Sequence, residues 1–225
     1  MKQAPRAWYA RLDHYLQQQN FKKAVAGSNI YMKMDEDKFL ITLVYVDDII
    51  FASNNEEMSH EFAQNMSKEF EISMIGELSY FLGLQVSQTT TSMFISQTKY
   101  LKDMLKRYGM EECAPMSTPM TTNCKLSKDD ESPRVDATLY MSIIGSLLYL
   151  TATRPDIMQA VRMVGRFQSA PKQSHLLVVK RILKYLKGNP EFCLWYPKIK
   201  NLTVIAYNDV DWAASMDDRK NTSRN

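Results

Sequence analysis

The stretch that decides the fold covers residues 40–52 and reads LITLVYVDDIIFA. Two almost wholly apolar runs, residues 40–45 and 49–52, flank the acidic pair Asp47-Asp48. Short runs rich in Val, Ile, Tyr and Phe are typical of β-strands. The pattern therefore predicts a β-hairpin that carries two carboxylates at its tip, and its first strand is expected to be buried on both faces.

Regular elements are predicted on both sides of this hairpin. A helix over residues 5–19 and a strand over 29–34 come before it, and a helix that begins with a capping box at Ser53–Glu56 comes after it. The later patterns predict a strand pair over 81–86 and 93–95, helices over 97–109, 137–151, 155–167 and 171–187, and strands over 192–196 and 202–207. Residues 114–134 combine prolines with many Ser, Thr and Asp, which favours a linker. The expected fold class is α+β.

Composition limits the class of protein. The chain has 225 residues, 45% of them hydrophobic, and this balance is typical of a globular protein that can bury a core. No apolar stretch approaches the roughly 18 residues of a membrane span, and the N-terminus has no signal-peptide core. Cys113, Cys124 and Cys193 are far apart, which predicts reduced thiols in an intracellular protein.

Two basic runs, residues 99–107 and 172–187, lie on helical patterns. The net charge of +3 is by itself only weak support for a nucleic-acid partner. Each run is either a solvated helix face or a face that binds the phosphates along a nucleic acid, and the sequence leaves both interpretations open.

The acidic pair can support the chemistry of phosphoryl transfer. A polymerase needs two divalent ions about 3.5–4 Å apart, and hard cations such as Mg²⁺ prefer carboxylate oxygens. A bare Asp-Asp pair is more often an exposed acidic turn. The apolar runs on both sides, together with Tyr45 two residues before Asp47, favour a metal site.

Motifs along the whole chain resemble those of copia-type retrotransposon Pol polyproteins. Residues 45–48 resemble the Tyr-x-Asp-Asp box of reverse transcriptases, and residues 2–9, KQAPRAWY, resemble a motif upstream of that box. Residues 81–86 resemble the primer-grip hairpin, and residues 117–120, 144–150 and 154–157 resemble the connecting region. Residues 180–188 resemble a basic stretch that follows that region. Residues 207–213 and 218–223 resemble the opening of a ribonuclease H domain. The ordered series identifies the chain as a member of this family.

The resemblance implies a role for each matching residue. Asp47 and Asp48 would be metal-binding carboxylates for two Mg²⁺, with Asp47 the more essential, and Asp209 would be the first metal-binding aspartate of ribonuclease H. The implied substrate contacts are Tyr45 beside the primer end, Gln3 at the incoming nucleotide or template, and Phe81, Leu82 and Gly83 on the primer strand. The expected nucleic-acid contacts are Lys99, Lys102, Lys106, Lys180, Arg181 and Lys184. The alternative for these residues is a structural role alone. Phe81 and Leu82 could belong to the core of a strand, and Asp209 could be an acid at the end of a strand.

The resemblance also implies a domain order and partners. Residues 1–90 would belong to a polymerase palm, 91–200 to the thumb and connection, and 201–225 to the start of ribonuclease H. The implied partners are an RNA template, a DNA primer, their RNA–DNA hybrid, deoxynucleoside triphosphates and the remainder of the Pol polyprotein, without a membrane. An intact element would work in the cytoplasm or in a virus-like particle.

The departures from the family pattern bear on activity. The family's third polymerase aspartate lies upstream of residues 2–9, so we expect the chain to lack it together with the fingers, and we expect ribonuclease H to be incomplete. Gly27, Met141 and Arg224 stand where the family usually has other residues, as in a decaying copy. Two functions remain: a segment of a working polymerase, or a non-catalytic remnant that at most binds nucleic acid. The remnant is favoured for the chain alone, and the flanking reading frame distinguishes the two.

Overall fold

The computed structural model describes residues 4–25, 27–122, 124–129 and 131–199. The chain divides into two compact units, Met1–Leu78 and Ser79–Asn225. Each unit holds a four-stranded antiparallel sheet, so the described part is α+β, as predicted. Gln3, Asp209 and the strand predicted over 202–207 lie outside the described residues. None of the described helices is both long and apolar enough to cross a membrane.

The first unit is built from two helices and one sheet. Its elements are α1 (Ala4–Gln18), β1 (Lys22–Lys23), β2 (Ile30–Asp35), β3 (Lys38–Tyr45), β4 (Asp48–Ser53) and α2 (Glu56–Glu69). The strands follow the order β1-β2-β3-β4, and both β2–β3 and β3–β4 are antiparallel hairpins. The hairpin predicted at residues 40–52 is confirmed.

One face of this sheet carries the core of the unit. Leu40 and Val44 on β3 are buried together with Leu12 of α1 and Met66 of α2. The neighbouring β3 residues that point the other way, Ile41 and Leu43, are only half-buried. The prediction that this strand is buried on both faces was therefore wrong, because residues of both helices join the core on the Leu40 side.

The start of α2 also differs from the prediction. Asn55 is the N-cap, and its side-chain oxygen accepts a hydrogen bond from the Met58 backbone N–H at 2.9 Å. Ser53 belongs to β4, where its hydroxyl donates to the Phe39 carbonyl. The capping box predicted from Ser53 therefore does not form, since Ser53 is held in the sheet two residues before the N-cap.

The described part of the second unit combines a small sheet with four helices. Its elements are β5 (Tyr80–Phe81), β6 (Leu84–Gln88), β7 (Ser92–Ser96), α3 (Thr98–Arg107), α4 (Ala137–Leu150), a 3-10 turn (Pro155–Ile157), α5 (Met158–Gly165), α6 (Gln173–Gly188) and β8 (Leu194–Pro197). The strands follow the order β5-β6-β7-β8. The strand predicted over 81–86 is instead broken by a turn at Leu82 and Gly83, and both residues have positive φ.

The four helices enclose the core of the second unit. Leu101 of α3, Ile144 and Leu147 of α4, Val161 of α5 and Ile182 of α6 are all at most 1% exposed and share one apolar cluster. Within the described residues, the segment between α3 and α4 contains no helix or strand. It connects two helices of the same compact unit, and the boundary between the units lies at Leu78 and Ser79. Cys113, Cys124 and Cys193 form no disulfide bond with one another.

Candidate functional site

The acidic hairpin has the predicted geometry. Tyr45 at the end of β3 pairs with Asp48 at the start of β4, so Val46 and Asp47 form a two-residue turn. All four residues are exposed. Both aspartates therefore lie at a strand-to-strand tip, where a ligand from solvent can reach their carboxylates.

The tip has an unusual backbone conformation at Val46, whose φ is +54°. Left-handed backbone is unfavourable for an L-residue and especially for a β-branched one. Asp47 does not share the positive φ, so the turn has the pattern of type II′, which prefers glycine at its first central position. Strain of this kind is frequent at functional sites.

Replacing Val46 by glycine is expected to stabilise the first unit by about 1 kcal/mol, because glycine adopts positive φ without the steric cost. The side chain is 65% exposed, so little packing is lost. Urea denaturation measures the change. The matched control is Glu36→Gly in the β2–β3 turn, where φ is +52° but the side chain is unbranched; we expect a smaller gain there. No gain from Val46→Gly would contradict the assignment of strain.

The two carboxylates at the tip have no third possible metal ligand grouped with them in the described part of the chain. Among the described residues, no group of three or more His, Cys, Asp or Glu side chains is placed to hold a metal ion. Asp13, an acid in the same unit, is already engaged: it forms a 2.9 Å ion pair with Lys23 and accepts hydrogen bonds from Gln17 and Tyr31. The hairpin tip therefore presents two exposed carboxylates, and the described residues add no further acid to them.

The residues predicted to hold a primer form a second two-residue turn. Phe81 pairs with Leu84, and the two residues between them have positive φ, 48° at Leu82 and 77° at Gly83. Two positive φ values are the pattern of a type I′ turn. The Tyr149 hydroxyl of α4 donates a hydrogen bond to the Leu82 carbonyl. A Cβ atom at Gly83 would collide with that hydroxyl, so any other residue there would have to displace the Tyr149 side chain as well as adopt a left-handed backbone.

The predicted basic residues fall into two groups in the second unit. Lys99, Lys102 and Lys106 are spaced along one exposed side of α3, where Lys102 lies 3.5 Å from Glu191. The other three lie together on α6 and line one groove; they are Lys180, Arg181 and Lys184. Both groups belong to the second unit, whereas the acidic pair belongs to the first.

The family model for reverse transcriptase (RNA-dependent DNA polymerase) matches residues 1–122. That stretch includes both the acidic hairpin and the turn at Leu82 and Gly83. The chain belongs to the reverse transcriptase family. Its relatives place it among copia-type retrotransposon Pol polyproteins, so the family resemblance read from the sequence is confirmed.

Three relatives show how this reverse transcriptase segment relates to longer proteins. It is 38% identical to the retrovirus-related Pol polyprotein from transposon RE1 of Arabidopsis thaliana, over 99% of this chain and 15% of that protein. It is 34% identical to the corresponding polyprotein from transposon TNT 1-94 of Nicotiana tabacum, over 99% of this chain and 18% of that protein. An uncharacterized mitochondrial protein of Arabidopsis thaliana is 36% identical over 80% of this chain and 75% of its own length. No solved structure matches the chain.

One residue that contacts a predicted site of this reverse transcriptase segment was not identified from the sequence. Tyr149 lies 67 positions after Leu82, yet its hydroxyl reaches the tip of the turn. Its ring packs edge-on against Tyr100 at 4.8 Å. Only the repeated apolar pattern of α4 was readable, and that pattern does not say which exposed side chain meets a turn of the sheet.

Proposed function

We propose that the tip of the β3–β4 hairpin contributes two carboxylates to the catalytic metal site of an RNA-directed DNA polymerase. The observation that carries the proposal is the exposed Asp47-Asp48 pair at a two-residue turn within the segment that matches the reverse transcriptase family. The chain spans about 15% of the RE1 polyprotein, so polymerase activity would belong to a longer assembly.

The other predicted residues receive roles in the same proposal. Tyr45, next to the acidic tip, packs beside the primer end, and the turn at Phe81, Leu82 and Gly83 holds the primer strand. Gln3 contacts the incoming nucleotide or the template, and Asp209 belongs to a ribonuclease H site. The substrates are an RNA template, a DNA primer and deoxynucleoside triphosphates.

The same proposal assigns regions of the chain to polymerase domains. Residues 1–90 belong to the palm, 91–200 to the thumb and connection, and 201–225 to the start of ribonuclease H. The first compact unit, Met1–Leu78, falls wholly inside the proposed palm. Mg²⁺, when bound, would activate the primer hydroxyl and neutralise phosphate charge. Two carboxylates are too few to hold both ions without further ligands.

Metal binding at the hairpin provides the experiment. Mn²⁺ is expected to bind with weak affinity, on the order of 1 mM, because only a few oxygens are available. Paramagnetic broadening should appear first at the backbone amides of Tyr45 and Ile49, which flank the tip. The double substitution Asp47→Asn, Asp48→Asn should remove it.

A second hairpin in the same sheet gives the matched control. The β2–β3 turn is also acidic and exposed, and it carries Glu36 and Asp37. Asp37→Asn should leave the broadening at Tyr45 unchanged. Equal broadening at both turns, or broadening that survives the double substitution, would contradict the proposal. The acidic pair would then be an ordinary exposed turn without a specific metal site.

The second candidate function is a non-catalytic nucleic-acid-binding protein. It is favoured by the small number of carboxylates grouped in the described residues and by the three basic residues that share a groove on α6. Primer extension separates the two candidates, since only the first supports nucleotide addition in a completed polymerase.

A further inference from the structure

A groove of about 310 Å³ lies between α6 and the linker that precedes α4. Its lining residues are Met116, Thr121, Leu177, Val178, Lys180, Arg181 and Lys184. The linker is held against the helix by a 3.3 Å hydrogen bond from the Met116 N–H to the Lys184 carbonyl. The groove is therefore formed by two connected segments of the second unit.

The lining has two chemical characters. Met116, Leu177 and Val178 supply an apolar surface, and Leu177 is 58% exposed. The three basic side chains stand beside it, and in the described part of the chain no carboxylate lies within 4.0 Å of any of them. A ligand that matches this groove has an apolar face and carries negative charge next to it.

The Arg181 guanidinium does not use all of its hydrogen-bond donors within the described residues. One of its terminal nitrogens donates to the Thr118 hydroxyl at 2.9 Å. Its Nε is buried and has no hydrogen-bond partner among the described residues. A buried donor without an acceptor is costly, so a small rearrangement that brings a phosphate oxygen to this guanidinium is favourable. Guanidinium groups bind phosphate with two parallel hydrogen bonds where geometry allows.

We propose that this groove binds an unpaired nucleotide of a single-stranded nucleic acid, with the base on the apolar residues and the phosphates at Lys180, Arg181 and Lys184. Along its length a duplex keeps its base faces stacked inside and presents its backbone, sugars and base edges, so the apolar residues would gain less from it than from an unpaired base. An unpaired nucleotide offers both a base face and adjacent phosphates. This inference rests on the nucleic-acid-binding part of the proposed function and names the form of nucleic acid that the α6 residues bind.

The test compares three fluorescently labelled ligands on the full 225-residue chain. They are a blunt RNA–DNA hybrid, the same hybrid with a single-stranded overhang of about four nucleotides, and a version whose overhang has abasic sugars. The natural overhang is expected to bind about fivefold more tightly than the blunt hybrid, the lower end of the range for one base on an aromatic side chain, because the described lining has no aromatic ring. The abasic overhang keeps the phosphates but loses the bases, so most of that advantage should disappear.

Two variants and a control locate the effect. Leu177→Gln changes an exposed apolar residue and should remove the overhang advantage while leaving blunt-hybrid affinity unchanged. Lys184→Gln should weaken the overhang complex and lower its log–log salt slope by about 0.7, the value for one single-strand phosphate. Lys106→Gln on α3 removes an equal charge outside the groove, and the ratio of overhang to blunt affinity should stay the same.

The outcomes separate the inference from the proposed function. Equal affinity for blunt and overhang ligands, or for natural and abasic overhangs, would overturn the groove assignment while nucleic-acid binding stands. An unchanged overhang advantage in Leu177→Gln would do the same. A polyglutamate peptide of matched charge that competes as strongly as the overhang would identify an acidic-peptide site instead. If the chain binds none of the nucleic acids, both the groove assignment and the nucleic-acid-binding function are overturned.

Discussion

Replacing Arg154 by alanine is expected to lower the free energy of unfolding of the second unit by about 3 kcal/mol, the lower range for breaking a buried ion pair. The Arg154 side chain is 3% exposed and donates three hydrogen bonds to the Asp156 carboxylate, at 2.9, 3.3 and 2.7 Å. It also donates to the Asn189 carbonyl at 2.8 Å, just after α6. We expect the lower range because the Asp156 side chain is still 28% exposed.

The unfolding free energy lost in Arg154→Ala should depend on pH. Burial raises the pKa of Asp156, but hydrogen bonds from Arg154 and Tyr185 and the Arg154 charge outweigh it, so the pKa is lowered overall. A lowered pKa stabilises the folded state above the unfolded value of about 3.9, and this stability is lost as the pH falls through the folded value. The gap between the parent and Arg154→Ala should therefore narrow in acid.

Hydrogen exchange of the α4 and α6 amides measures the effect within the second unit. The control is the double variant Arg154→Met, Asp156→Leu, which removes both charges and should recover much of the stability, because no unpaired carboxylate is left behind. A single variant as stable as the parent would contradict the account. So would a loss that is the same at pH 7 as in acid.

The acidic hairpin could be predicted from the sequence because its local pattern agrees with its tertiary setting. Apolar strand residues on both sides of Asp47 and Asp48 leave only the tip for the carboxylates, and the register pairs Tyr45 with Asp48. The burial of β3 could not be read in the same way. Leu43 is as apolar as Leu40, but only Leu40 faces the side of the sheet that carries the core.

The second turn and the groove show what the sequence left open. Leucine rarely adopts left-handed backbone, so Leu82 was predicted to continue a strand, although Gly83 after it is typical of a type I′ turn. The spacing of Lys180, Arg181 and Lys184 on one side of a helix was readable. The apolar half of their groove was not, because Met116 reaches α6 from a linker more than 60 positions earlier in the chain.

Replacing Asp47 by asparagine in a complete polymerase is expected to lower primer extension by roughly 1,000-fold or more, the range for one preorganised electrostatic group. Asparagine keeps the size of the side chain but removes the charge that offsets two closely spaced dications. The substitution should leave the fold intact, since the Asp47 side chain is exposed at a turn. The effect should therefore appear in catalysis and leave stability unchanged.

The most direct measurement is primer extension on an RNA template with Mg²⁺. The enzyme is the transposon RE1 Pol polyprotein in which this chain, 38% identical to it, replaces the matching stretch. We predict that the chimaera extends the primer, that Asp47→Asn abolishes extension, that Asp37→Asn in the neighbouring turn retains it, and that the 225-residue chain alone gives none. Undiminished extension by the Asp47→Asn chimaera would contradict the metal-site assignment. So would a folded chimaera that binds primer and template but adds no nucleotide.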